Sequence, residues 1–281
     1  MAVDLRVYFD FAGGFRVEWA LIDDFRPSDS LRFTVLRGPT EHGPFSAVSS
    51  PLIDETEFFD SFAQIGHRSK AFYKIRVQDL QTDADAELPD LGRRCGDLPG
   101  PEALRIGNEN HRKLRQDGRA CAIFPLRSFG PPCPVCVDHV TQRRKMSQCV
   151  HCYDTGVAGG FHRPIVVYHS WKEGPERANN APLPANPLGR SLLLPATPTV
   201  APDFVIAEAD GTRWRVLSME RDHHRGYPVQ QRGSAGLVAA DDVIYKLPLT
   251  VDLAEYDVHH QTTDSPNCQQ AVLGQVLRLF E

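Results

Sequence analysis

The chain has 281 residues, 41% of them hydrophobic and 24% charged, with a formal net charge of −5. This balance suits a soluble globular protein of two or three modest domains. It argues against direct nucleic-acid binding, which draws its affinity from many cations neutralising phosphates, and no apolar run approaches the ~20 residues that cross a membrane.

The opening MAVDLRVYFDFAGGFRVEWALIDDF alternates apolar and polar side chains, so it reads as strands. It lacks a basic leader followed by an apolar core and a cleavage site. The expectation is folding in a reducing cytoplasm, where clustered cysteines are more often metal ligands than disulfides. The alternation continues through LRFTVLRG, FSAVSS, EFFDS and AFYKIRVQDL, separated by Gly13-Gly14, Pro27-Ser28-Asp29, Gly38-Pro39 and Gly43-Pro44. Short strands at this spacing predict a β-sandwich over residues 1–80. Trp19 on the second strand is placed to fill the space between sheets, and Tyr73 lies on a late strand. The segment resembles a fibronectin type III domain, which implies contact surfaces rather than chemistry.

Residues 81–100, QTDADAELPDLGRRCGDLPG, are polar and rich in Gly, Pro and Asp, and read as a linker. Residues 101–172 follow as a helix with a small zinc-ribbon lobe. Pro101 suits a first helical turn and Gly118 a helix end, with Ala103, Leu104, Ile106 and Leu114 as a partial apolar stripe. His111, Arg112, Lys113 and Arg115 read as a solvated face.

CPVCVDHVTQRRKMSQCVHC then sets two Cys-x-x-Cys turns twelve residues apart. Cys133, Cys136, Cys149 and Cys152 are candidate ligands of one structural Zn²⁺, which takes four thiolates tetrahedrally. Two disulfides or four free thiols are the alternatives. Four cysteines leave no open position for a catalytic water, although His139, His151 or His162 could replace a ligand. No H-x-E precedes Pro132-Cys133, as a zinc deaminase requires. Arg143, Arg144 and Lys145 sit between the two turns as candidate partner contacts, or as phosphate contacts in a zinc-ribbon adaptor. CVHCYDTG is similar to the cysteine repeat of DnaJ-type chaperones, but has Asp154 at the first glycine and occurs once.

Residues 173–202 carry seven prolines and read as an extended arm or a flexible linker. FVIAEA, RWRVLSME, PVQQR, LVAA and VIYKLPL then predict a small β-barrel over residues 203–258, with Asp210-Gly211 as a hairpin turn. His223-His224 with Asp222, and His259-His260 with Asp257, fall in polar turns and are weaker candidates for a second metal or a metal-enzyme site. Residues 259–281 end in SPNCQQAVLGQVLRLFE, whose apolar spacing predicts a terminal helix. The expected fold is therefore mainly β and multidomain.

FGPPCPVCVD, QCVHCYDTGVAGGFHRPI and the late DVIYKLPL, with the sandwich-like start, together resemble structural proteins of tailed-bacteriophage virions. The pattern of a hydrophobic strand, Asp-Gly and a Trp-bearing strand looks like the barrel of head-closure and connector proteins. The resemblance implies a non-enzymatic head-to-tail connector or collar at the phage neck, assembled as a homo-oligomeric ring with structural zinc. A baseplate or tail-fibre attachment protein is the alternative within the same class. Implied partners are portal or adaptor, tail-terminator and fibre proteins. The implied location is the virion, with host cytoplasm during assembly.

Overall fold

The computed structural model describes residues 2–22, 24, 26–61, 71–95, 98–138, 141, 143–172 and 189–253. They are mainly β, with one α-helix among the described residues. Among the described residues the chain forms two compact units: residues 1–98 with 127–163, and residues 99–126 with 164–253.

In the first unit, β1 (Ala2–Asp10), β2 (Gly14–Ile22) and β6 (Glu57–Asp60) make one antiparallel sheet in the order β1-β2-β6. β4 (Ser46–Ala47), β3 (Leu31–Gly38), β7 (Phe72–Asp79) and β8 (Asp85–Arg94) make a second in that order, with β5 (Leu52–Ile53) also on β3. Every second residue points inward, as a period of two requires. Leu5, Val7, Phe15, Val17, Trp19 and Leu21 from the first sheet share one core with Leu31, Phe33, Val35, Tyr73, Ile75 and Val77 from the second. Trp19 lies 5.7 Å from Phe33, and Tyr73 meets Phe15 edge-on at 6.1 Å, so both aromatics fill the space between the sheets.

The segment expected as a linker over 81–100 contains β8, paired with β7 from Phe72↔Arg94 to Gln78↔Asp85. β8 is the edge of its sheet. Its outward residues meet solvent, and Leu88 packs against the core. An edge strand needs few apolar side chains, so its composition imitates a linker.

The second unit is built on α1 (Pro101–Asp117) and on β9 (Arg119–Phe124), β10 (Ile165–Lys172), β11 (Gly189–Leu194), β12 (Val205–Glu208), β13 (Arg213–His224) and β14 (Tyr227–Leu237). The strands close a barrel in the order β10-β11-β14-β13-β12-β9. Its core contains Cys121, Ile123, Val167, Leu192, Leu194, Ile206, Trp214, Val216 and Ala235. α1 starts at Pro101 and stops at Gly118, as expected, and packs on β10 and β14.

The barrel is larger than the expected 203–258 element. It takes β9 and β10 from the stretch assigned to the helix and lobe, and β11 from the expected arm over 173–202. The cysteine lobe interrupts the barrel sequence between β9 and β10, which breaks its strand rhythm into two distant runs. Asp210-Gly211 turns the chain between β12 and β13, as expected. VIYKLPL is not a strand: Val243–Lys246 is a short 3₁₀ turn capped by the Asp242 carboxylate, which accepts from the Ile244 N–H. The terminal helix expected at 259–281, and residues 173–188 of the arm, lie outside the described residues.

Candidate metal centre

The lobe packs with the sandwich, although it is inserted between two barrel strands. Phe129 is 4% exposed and belongs to the sandwich core. The Gly130 N–H donates to the Asp24 carbonyl at 2.8 Å, and the Arg163 N–H donates to the Asp54 carbonyl at 3.1 Å. The Asp54 carboxylate grips the lobe from both sides. Its Oδ2 is 2.8 Å from Arg127 Nη2 and its Oδ1 is 3.0 Å from His162 Nδ1. Burial pushes the His162 imidazole below its ordinary range, against the pull of Asp54.

On this base the two cysteine turns face each other. Small bridges Pro132↔Val157 and Val137↔Arg144 tie their flanks. The Cys133 N–H donates to the Gly156 carbonyl at 2.8 Å, and the Lys145 N–H to the Cys136 carbonyl at 2.8 Å. Asp154 accepts from the Gln148 and Cys149 N–H groups and itself adopts a left-handed φ of 62°. Gly160 has φ 68°, and a Cβ there would stand 2.5 Å from the Cys152 carbonyl oxygen, so the exit turn requires glycine.

Cys133, Cys136, Cys149 and Cys152 are buried, and their four Sγ atoms lie within 4.8 Å of one another. Cys133 and Cys149 sulfurs are 3.8 Å apart, and Cys136 and Cys152 sulfurs 3.3 Å. A disulfide needs about 2.05 Å, so all four are free thiols. Metal–sulfur bonds of about 2.3 Å in a tetrahedron place sulfurs about 3.8 Å apart, which matches the cluster. Burial pushes the Cys136 and Cys152 thiols up. At Cys133 burial acts in the same sense, but the Cys136 and Val135 N–H groups donate to its sulfur and hold it lower. Backbone donors aimed at sulfur favour thiolate, the form a metal takes. Four soft donors in this arrangement suit a tetrahedral ion such as zinc or an iron–sulfur group.

Among the described residues, no other group of histidine, cysteine and carboxylate gathers in this way. His151 is exposed, and His162 is engaged with Asp54; His139 lies outside the described residues. His223 Nδ1 sits 2.8 Å from the Arg221 carbonyl oxygen, and Asp222 is held by Arg232 at 2.6 Å. His259-His260 and Asp257 lie outside the described residues. Lys145 pairs with Asp138 at 3.1 Å, whereas Arg143 and Arg144 are exposed.

The barrel holds a second polar cluster that the sequence did not suggest. His169, 1% exposed, lies on β10 between Val167 and Trp171 at inward-facing alternate positions. Its Nδ1 is 3.0 Å from the Arg119 carbonyl oxygen and its Nε2 is 3.2 Å from Glu208 Oε1. Glu208 accepts from both indoles, Trp171 at 3.0 Å and Trp214 at 2.7 Å. Burial alone would lower His169, but the neighbouring Cys121 and Glu208 hold it up to about 10. Burial would raise Glu208, but His169 and the two indole donors bring it to about 2. Both shifts favour the charged forms of the His169 and Glu208 side chains. The cluster's trace in the sequence is one histidine in an alternating apolar strand and one glutamate two residues before Asp210-Gly211.

Comparison of the chain with known protein families, curated proteins and solved structures finds no match.

Proposed function

We propose that the chain is a non-enzymatic structural protein of a tailed-bacteriophage virion, a connector or collar subunit that forms a ring at the neck and carries a structural zinc. The carrying observation is the cluster of Cys133, Cys136, Cys149 and Cys152, whose four buried sulfurs lie within 4.8 Å of one another and would fill every position of a tetrahedral ion. A catalytic zinc keeps one position open for water or substrate. The rest of the chain supports the same reading. Two antiparallel sheets around one core, with Trp19 between them, support a fibronectin type III-like contact module. The closed barrel supports a connector-type module. Ring assembly multiplies modest contacts by symmetry and so needs no reaction chemistry.

Two measurements test the reading. Elemental analysis of the purified chain gives one zinc per chain, lost when Cys149 is replaced by Ala. Quantitative mass spectrometry of particles of the encoding phage finds the chain at a fixed copy number. Its absence from purified particles, or an ion with a bound water in place of one sulfur, overturns the proposal.

A further inference from the structure

The tip of the lobe turns aliphatic side chains outward from the sulfurs. Val135 stands in the first cysteine turn, next to Cys136, and is 43% exposed. Val150 stands in the second, next to Cys149, and is 46% exposed. Met146, 49% exposed, follows Lys145, whose N–H donates to the Cys136 carbonyl at 2.8 Å. The four Sγ atoms lie within 4.8 Å of one another, so these three side chains share one small tip. None belongs to the buried cluster of the tip, which holds Val137 with the cysteines. Single exposed apolar residues are ordinary on a protein surface, whereas several gathered at one place mark a contact.

The same tip carries cations. Arg143, Arg144 and Lys145 are exposed. Lys145 pairs with Asp138 at 3.1 Å, while neither arginine has a carboxylate partner among the described residues. Asp154 is turned inward to the Gln148 and Cys149 N–H groups. The cysteines are at most 2% exposed, so the charge of a metal–thiolate shell lies beneath this surface. Methionine and arginine are enriched where proteins meet, and methionine adapts to an irregular apolar surface. Nucleic acid fits the tip less well. A single strand is gripped by stacking its bases on aromatic rings, and valine and methionine offer none.

We infer that the lobe tip docks on another protein, at a surface where apolar side chains are flanked by carboxylates. Val135, Met146 and Val150 enter the apolar part, and Arg143 and Arg144 meet the carboxylates at its rim. The partner is a different chain, so the inference goes beyond the ring reading and does not rest on it. An ion on the sulfurs would hold the two valine-bearing turns at a fixed spacing, which lowers the cost of docking.

The experiment is fluorescence anisotropy on the metal-loaded full chain with a short labelled peptide that alternates glutamate and leucine. The control peptide has serine in place of leucine. The glutamate–leucine peptide is expected to bind, more weakly as salt is added, and the serine control at least about tenfold less tightly. V135S/V150S and R143E/R144E are each expected to weaken binding at least about tenfold, and R143K/R144K to restore most of it. Metal content equal to that of the wild type shows that each variant keeps its lobe. Failure of the peptide to bind the wild-type chain overturns the inference. Equal binding of the serine control, or unchanged binding in V135S/V150S, also overturns it, because charge alone then explains the contact. Binding of a duplex DNA probe that R143E/R144E abolishes, without peptide binding, overturns it in favour of phosphate recognition. Binding to phosphatidylcholine–phosphatidylserine vesicles that V135S/V150S abolishes, without peptide binding, overturns it in favour of a bilayer surface.

Discussion

Asp54 shows how one carboxylate decides where an inserted lobe rests. It sits in a turn after β5 with a left-handed φ of 62°, and its two oxygens serve Arg127 and His162 from the far end of the insertion. The Arg127 side chain is only 10% exposed and also donates to the Phe161 carbonyl, so removing Asp54 takes the carboxylate of this ion pair from a largely buried guanidinium. Breaking such a pair costs about 3–5 kcal/mol. Asp54→Ala is therefore expected to lower stability by that amount in denaturant melts. Asp54→Asn keeps an acceptor and loses less; equal losses would mean that the charge is irrelevant. The barrel pair yields a pH dependence. His169 rises from its ordinary 6.5 to about 10, so its contribution is complete below 6.5 and fades as pH climbs through about 10. Glu208 falls from 4.5 to about 2, so its contribution is complete above 4.5 and fades as pH drops through about 2. The two titrate as one unit. The thermal midpoint of the barrel should plateau between pH 4.5 and 6.5 and decline by pH 9. In His169→Gln the alkaline decline should vanish; its persistence would remove the imidazolium from the account.

Helix α1 ends where β10 comes close, and Gly118 is the joint. A Cβ at that position would stand 2.3 Å from the Leu114 carbonyl oxygen and 2.5 Å from that of His169. Backbone cannot yield as a side-chain tip can, so Gly118→Ala should cost at least about 2 kcal/mol in the barrel unit. Chemical denaturation followed by circular dichroism checks this, and a loss below a few tenths would show that the joint relaxes freely. The same element shows what the sequence reveals easily. Pro101 and Gly118 bracket α1 by chemistry that acts within one turn, and the inward Val17, Trp19, Phe33 and Val35 announce the sandwich by strict alternation. The cysteine turns are legible for the same reason, since each pair of ligands comes from one tight bend. What resists reading is set by distant partners. β8 is a strand because β7 lies beside it, and nothing in DAELPDLGRR distinguishes it from a polar connector. β9 and β10 pair Ile123 with Ile165 across the whole lobe, so neither announces the other. Glu208 looks like one more surface carboxylate until closure of the barrel brings two indoles and an imidazole against it.

The lobe's stability has two separate sources, and removing the metal should distinguish them. At its base, Phe129 shares the sandwich core and Asp54 holds Arg127 and His162. At its tip the buried cluster consists of Val137 and the four cysteines. One valine is a small core for two turns, so an ion on the sulfurs would supply what an apolar core supplies elsewhere. Structural zinc sites contribute apparent free energies of about 10–16 kcal/mol at neutral pH. A chelator strong enough to strip the ion should therefore open the tip and leave the base attached. The amides of Cys133, Val137 and Lys145 donate to carbonyls inside the tip, and they should lose their protection from hydrogen exchange. The barrel has its own closed ring of strands and its own core, so the amides of Val205 and Ile206 should exchange as before. Cys136→Ala should reproduce the chelated pattern without chelator. If the tip amides stay protected after the metal is gone, the cysteines are packing as small buried hydrophobes and the filled shell is not what shapes the lobe. If tip and barrel amides open together, the barrel depends on the ion as well, and the two units share one folding transition instead of keeping separate ones.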